Sequence, residues 1–340
     1  MTPVRLQPNL VEHFYAGGAR IAALRGIETT SDHQPEEWIA ATVSRAGEPG
    51  VGLARTTDGD VLRDLVAADS RSWTGVDLAD GDTGVLVKLL DAGQRLPVHV
   101  HPDRAFAALH LDCAYGKTEA WYVLDADDRG AVHLGWTEDV DADELARRRD
   151  DQDGDWMLDH LHRVEVRPGD GVLVPAGLPH SIGAGVFVAE VQEPTDFSIL
   201  LEWSVTTSGR DDSHLGLGFD LAMKAVTHRA TSADELDRLV RRAGATDEQL
   251  GLRSVLPPEA VPFFRLDLAT GTADVPAGFA AVLVLDGDGE LNAGDGATAV
   301  KRGDVLAVPA AAGDWTVRGD AEVLVARPAS TGSAQTEGEA

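Results

Sequence analysis

The sequence predicts a mainly β protein built from two related β-barrels, with a helical insertion and a helical linker. Three observations carry that prediction. Short apolar or alternating runs bounded by Gly, Pro and Asp fill residues 84–205. A second β-rich stretch runs from Pro262 to Arg327 and contains the hairpin signal Leu285-Asp286-Gly287-Asp288-Gly289. Finally, Pro168-Gly169-Asp170-Gly171-Val172-Leu173-Val174-Pro175-Ala176 is echoed by Arg302-Gly303-Asp304-Val305-Leu306-Ala307-Val308-Pro309-Ala310. Both copies read as a Gly-Asp turn, a buried strand and a proline where ladder bonding stops.

Taken in order, residues 1–83 form an N-terminal segment expected to pack on the first barrel. Residues 84–208 form that barrel, with runs at Val85 to Leu90, Val172 to Val174, Val186 to Val191 and Phe197 to Val205. Its rhythm breaks at about residues 139–162, where Asp143, Glu144, Leu145, Ala146, Trp156, Met157, Leu158 and Leu161 predict a helical insert. Residues 209–258 predict a helical linker, because Leu217, Leu221, Val226, Leu236, Leu239 and Val240 are spaced for one buried face. Residues 259–328 form the second barrel. The tail 329–340 is too polar to fold and is expected to be disordered.

Composition narrows the function. The 340 residues carry 57 Asp+Glu against 29 Lys+Arg, a net charge of -28, so a polyanionic partner such as nucleic acid is excluded. No apolar run approaches the roughly 20 residues a bilayer requires, and Met1 to Leu10 lacks a signal pattern. A cytoplasmic protein without a membrane partner is the expectation. The single cysteine, Cys113, excludes an internal disulfide and reads as a small buried hydrophobe. Lysine is scarce, occurring only at 88, 117, 224 and 301, so a lysine beside a candidate site stands out.

Three features converge on one site. In Gly93-Gln94-Arg95-Leu96-Pro97-Val98-His99-Val100-His101, two histidines at i and i+2 share a strand face, with Cα atoms roughly 6–7 Å apart. Gly116-Lys117-Thr118-Glu119 leads into the apolar Ala120-Trp121-Tyr122-Val123-Leu124, aiming one carboxylate from the start of a strand. Pro175-Ala176-Gly177-Leu178-Pro179-His180 places a third histidine just past a turn. Three imidazoles and a carboxylate suit one divalent ion, with Zn, Fe, Mn and Ni all open. The remaining histidines read as surface or core: His160 and His162 in the insert, and His13, His33, His110, His133, His214 and His228 alone. Asp314 stands in the second repeat where His180 stands in the first, so the second barrel is expected to hold no metal.

The two histidine motifs resemble the signatures of the cupin superfamily, whose members bind metal inside a small jelly-roll barrel. Glu119 follows His101 by 18 residues, longer than the usual cupin gap. That gap, with Val100-His101-Pro102-Asp103 and Gly116-Lys117-Thr118-Glu119-Ala120-Trp121-Tyr122, resembles the type I mannose-6-phosphate isomerases. Pro35-Glu36-Glu37-Trp38, Leu62-Arg63-Asp64-Leu65, Val87-Lys88-Leu89-Leu90-Asp91, Glu190-Val191-Gln192 and His214-Leu215-Gly216-Leu217 extend the resemblance over roughly residues 20–328. Two positions depart from it. His99 stands where the family usually has Gln, and Leu200 falls where the family has a site arginine.

The resemblance implies two cupin-type barrels and a metal-dependent aldose–ketose isomerase acting on mannose 6-phosphate or a related sugar through a cis-enediol. It implies one divalent metal, with zinc the first choice, on His99, His101, Glu119 and His180. Glu190 is the expected base, Lys117 a catalytic and substrate-contacting cation, and Gln192 and Asp103 further substrate contacts. Two other readings of the same residues stay open. One is a cupin oxidoreductase using iron or manganese with oxygen; the other is a sugar-binding cupin without turnover.

Overall fold

The structure is a computed structural model describing residues 1–77, 80–244 and 249–329. It is mostly β, and among the described residues the strands form four sheets. A seven-stranded antiparallel sheet runs in the order Val240–Arg241, Gly171–Val174, Glu119–Ala126, Val186–Gln192, Leu86–Ala92, Glu36–Ile39, Leu10–Val11. Beside it lies a five-stranded sheet in the order Ile199–Leu200, His99–Val100, His180–Ile182, Ala131–Trp136, Leu161–Glu165. The C-terminal part contributes a six-stranded and a four-stranded sheet.

The central strands of the large sheet, Leu86–Ala92 and Val186–Gln192, are buried at every residue. They therefore read as continuous apolar runs rather than alternating ones. Their few polar members, Lys88, Asp91, Glu190 and Gln192, must find partners inside the protein, because burying an unpaired charge is costly. One large core continues from Leu89, Trp121 and Val188 to Phe264, Leu283 and Leu324 of the C-terminal part.

The repeated segment behaves alike in both copies. Gly169 (φ +90°) and Gly303 (φ +85°) both take the left-handed backbone that glycine tolerates best. Asp170 and Asp304 each accept a hydrogen bond from the backbone N–H three residues earlier, on Arg167 and Lys301. The strands that follow, Gly171–Val174 and Val305–Val308, are wholly buried.

The helical insert consists of Ala142–Asp150, capped by the Asp141 carboxylate, and Gly154–Asp159, capped by Asp153. It ends sooner than the sequence predicts. His162 lies on the Leu161–Glu165 strand rather than in a helix, and its Nε2 bonds the Thr231 carbonyl. The linker is likewise more broken than expected, because Gly218 and the extended stretch around Val226 interrupt it. Among its described residues only Phe219–Ala222 and Ala233–Leu239 are α-helical, and Val240–Arg241 joins the large sheet as an edge strand. The N-terminal segment packs on both halves. Leu10–Val11 and Glu36–Ile39 extend the large sheet, while Val4–Arg5 pairs with Val305–Val308. Cys113 is half-buried, not fully enclosed. The expected disorder beyond Ala329 lies outside the described residues. No helix among the described residues is long and apolar enough to cross a membrane.

Candidate metal centre and active-site cleft

The ligands come from both sheets of the N-terminal part. His99 and His180 are direct partners in the small sheet, and Glu119 opens its strand in the large sheet, opposite Gln192 and Val174. His101 sits one residue past the end of the His99–Val100 strand. Gly116 is what lets the Glu119 segment close on it. A Cβ at that position would lie 2.6 Å from the Pro102 carbonyl oxygen, and the next N–H, of Lys117, donates to that carbonyl.

All three imidazoles are oriented alike. The Nδ1 atoms of His99, His101 and His180 contact the carbonyls of Pro97 (2.9 Å), Phe197 (2.7 Å) and Leu178 (2.8 Å). A carbonyl oxygen only accepts, so each Nδ1 carries the proton and each Nε2 presents a lone pair. Those backbone carbonyls are the outer partners that fix a metal-binding histidine's tautomer. The four predicted residues each bring one donor atom to within 4.8 Å of the others, and all four side chains are buried. His180 Nε2 is buried without a hydrogen-bond partner, a defect that a cation at this point would remove. The residues therefore fit a single divalent ion.

The electrostatics agree. Burial first, and then the neighbouring His180 and His101, push the His99 pKa well down. Burial and the Lys117 charge push His101 down to about 3. Both rings are thus neutral, the state in which imidazole binds metal. Burial opposes ionisation of Glu119, but the Lys117 ammonium outweighs it and holds the carboxyl well below its usual range. Lys117 Nζ donates to Glu119 Oε2 (2.8 Å) and lies 3.1 Å from His101 Nε2. These are the same two acceptors a metal would claim.

His99, Lys117 and Glu119 open onto a cleft of about 250 Å³, whose lining also includes Glu190, Lys88, Asp196 and Leu200. Glu190 faces Lys88 on one neighbouring strand and Trp121 on the other. Trp121 Nε1–H lies 3.1 Å from both Glu190 Oε2 and Glu119 Oε1, so it holds the two carboxylates together. Burial, followed by the Glu119 charge, raises the Glu190 pKa to about 7.

A relative, the mannose-6-phosphate isomerase of Streptococcus mutans, is 30% identical over 330 residues, spanning 95% of this chain and 97% of its own. The chain belongs to the mannose-6-phosphate isomerase family. The mannose-6-phosphate isomerase ManA of Bacillus subtilis is 28% identical over 245 residues, 71% of this chain and 74% of that one. The crystal structure of mannose 6-phosphate isomerase from Bacillus subtilis shares the fold with a TM-score of 0.76 at 24% identity, over 96% of this chain and all of that one. The apo enzyme from Salmonella typhimurium gives a TM-score of 0.71 at 15% identity, over 97% and 100%. No protein-family profile matches the chain.

Within this isomerase-family cleft, two expected substrate contacts lie elsewhere. Asp103 caps the Arg104–His110 helix by accepting from Phe106 N (2.7 Å), and it does not line the cleft. Gln192 is fully buried, with Nε2 turned to the carbonyls of Glu193 and Thr195. Conversely, sequence reasoning missed several groups. Lys88 is ion-paired to Asp196 (3.0 Å) and lies 3.7 Å from Glu36, with its ammonium 4.3 Å from the Trp38 ring centroid. Tyr15 donates to Glu36 (2.8 Å). His13, read from sequence as a bystander, lines the cleft. The one available signal was a scarce lysine inside the apolar run 85–90.

Proposed function

We propose that this chain interconverts mannose 6-phosphate and fructose 6-phosphate, or a closely related aldose–ketose pair, with one divalent metal, zinc being the first choice. The observation that carries the reading is the buried meeting of His99, His101, Glu119 and His180 beside Glu190, in a member of this family. Bound there, the metal would supply Lewis-acid polarisation of the sugar's carbonyl and hydroxyl oxygens.

The protein's own groups carry the proton. In the aldose-to-ketose direction, Glu190 takes the proton from C2 of the open-chain sugar, leaving a cis-enediolate; a proton passes from O2 to O1, and Glu190 returns its own proton to C1. Burial raises the pKa of this carboxyl, to about 7 in the metal-free protein and less with a cation beside it, toward the range in which one group can both accept and release that proton. Trp121 restrains Glu190 and Glu119 together, and the ammonium groups of Lys117 and Lys88 supply positive charge where the enediolate oxygens become negative. Burial in the cleft excludes the water that would weaken these interactions. The small phosphorylated substrate fits a cytoplasmic setting.

In the same proposal the two sheets of residues 84–208 close as one cupin-type jelly roll around the site. The sheets of residues 259–328 then form a second, structural barrel across the 209–258 linker.

The test is isomerisation in deuterium oxide. Zinc-loaded protein should convert mannose 6-phosphate to fructose 6-phosphate with solvent deuterium entering C1, and Glu190→Gln should slow both by about 10²–10⁴-fold. Oxygen uptake without isomerisation would indicate an oxidoreductase. Sugar-dependent stabilisation without turnover would indicate a binding protein.

A further inference from the structure

A sugar phosphate needs a cation at its anionic end, and most cations of the cleft are already committed. Lys117 is paired with Glu119, and Lys88 with Asp196 and Glu36. Leu200 stands opposite His99 on the adjoining strand and lines the same cleft, so that position offers no cation. Arg45 also lines the cleft, and it differs from the two lysines. Its side chain is 25% exposed, whereas Lys88 and Lys117 are 5% and 6% exposed, which puts it at the mouth rather than the floor.

The backbone fixes Arg45 at that mouth. The N–H of the next residue, Ala46, donates to Asp196 Oδ2 (3.2 Å), the same carboxylate that pairs with Lys88. Arg45 N bonds the Val51 carbonyl, closing the loop on itself. Arg45 Nη1 donates to the Glu12 carbonyl (2.8 Å), and Nε lies 3.3 Å from the half-exposed Glu48, a weak solvent-screened pair. A guanidinium has five N–H donors, so several remain for a ligand. His13 stands in the same wall, with a buried Nδ1 that has no hydrogen-bond partner.

We propose that Arg45, with His13 beside it, anchors the anionic end of the substrate and sets the preference for phosphorylated over free sugars. The inference rests on the isomerase reading above. A fork of planar N–H donors at the mouth matches the oxygens of a phosphate, while the reacting carbons lie at the metal end of the cleft. Glu48 competes for the same guanidinium, so its removal should strengthen the anchor.

The experiment measures KM for mannose 6-phosphate and for mannose with zinc-loaded wild type, Arg45→Gln and Glu48→Gln, alongside the melting shift caused by inorganic phosphate. Loss of a charge-assisted contact predicts a rise of about tenfold or more in the phosphorylated-to-free KM ratio for Arg45→Gln. It also predicts a smaller phosphate-induced melting shift for that variant, and a lower ratio for Glu48→Gln. Active variants with an unchanged ratio and an unchanged phosphate shift would overturn the role of Arg45 and leave the isomerase reading standing. If wild type turns over neither sugar, the isomerase reading fails, and the phosphate shift alone then decides the anion site. If Arg45→Gln does not fold, the direction of the Glu48→Gln change decides.

Discussion

His99 and His180 face each other directly across an antiparallel strand pair, with ring centroids 4.1 Å apart. In each of these residues Nδ1 is turned to the carbonyl two residues earlier in its own chain, so the approach to either strand is itself the device that aims its Nε2 inward. Local backbone geometry thus aims two of the three imidazoles, whereas His101 is held by the distant Phe197 carbonyl and Glu119 comes from the large sheet.

This arrangement makes the four ligands interdependent. His101→Ala, His180→Ala or Glu119→Gln should each abolish stoichiometric metal binding, whereas Asp314→Ala should leave it intact. Asp314 is engaged elsewhere, accepting from Ala277 N at 2.8 Å. Elemental analysis of each purified variant checks this, and one equivalent of tightly held metal in the ligand variants would contradict the assignment.

Glu190 should govern the acid side of the pH–rate profile. A base works deprotonated, so kcat/KM should rise as pH increases through the Glu190 pKa. That pKa is about 7 in the metal-free protein and lower once a cation sits beside it. Glu190→Gln should cost about 10²–10⁴-fold in kcat and remove that limb. The group also affects stability: its folded pKa lies above the ordinary 4.5, so stability falls as pH rises from there to about 7. Metal-free Glu190→Gln should therefore unfold at higher denaturant concentration than wild type at pH 8.

Trp121→Phe removes the N–H shared by Glu119 and Glu190 while keeping the ring. Losing a donor to an ionised carboxylate disfavours the ionised form, so the Glu190 limb should move to higher pH. The expected cost is roughly tenfold in kcat/KM below pH 7 and little above pH 9. A profile that drops uniformly at all pH values would contradict this role.

Glu36 and Lys88 form the buried pair that ties the N-terminal segment to the cleft. Burial raises the Glu36 pKa, but the Lys88 and His13 charges and the hydrogen bonds from Trp38 and Tyr15 more than reverse it, leaving about 2. A depressed carboxyl stabilises the fold above its ordinary 4.5, and the contribution is lost as pH falls toward 2. Glu36→Gln should cost about 1–3 kcal/mol at pH 7, because Lys88 loses the more deeply buried of its two counter-charges and keeps Asp196. The difference from wild type should shrink below pH 4. Urea unfolding across that pH range is the check.

The metal site was legible because its ligands fall in short segments whose spacing reflects strand and turn geometry: His99-x-His101 on one strand end, and Glu119 and His180 each opening a strand. The repeated Gly-Asp turn was legible because both copies need the same positive-φ glycine. The anchoring network was not. Tyr15, Glu36, Lys88 and Asp196 are far apart in sequence; the pairing of Glu36–Ile39 with Leu86–Ala92 brings Glu36 beside Lys88, and Tyr15 joins through its bond to Glu36. The helical linker was overread because its apolar spacing continued through Gly218 and the Val240–Arg241 strand, where sheet pairing overrode helical periodicity. Asp103 caps a helix, a role not legible in sequence because an aspartate after Pro102 looks the same whether it caps a helix or faces a substrate.

The most direct test strips the protein of metal with a chelator, adds zinc in steps, and follows conversion of mannose 6-phosphate to fructose 6-phosphate. The account predicts that turnover disappears in the stripped protein, returns in proportion to added zinc and saturates at one equivalent, while His180→Ala recovers none of it. Undiminished turnover by the stripped protein, or full recovery by His180→Ala, would contradict it.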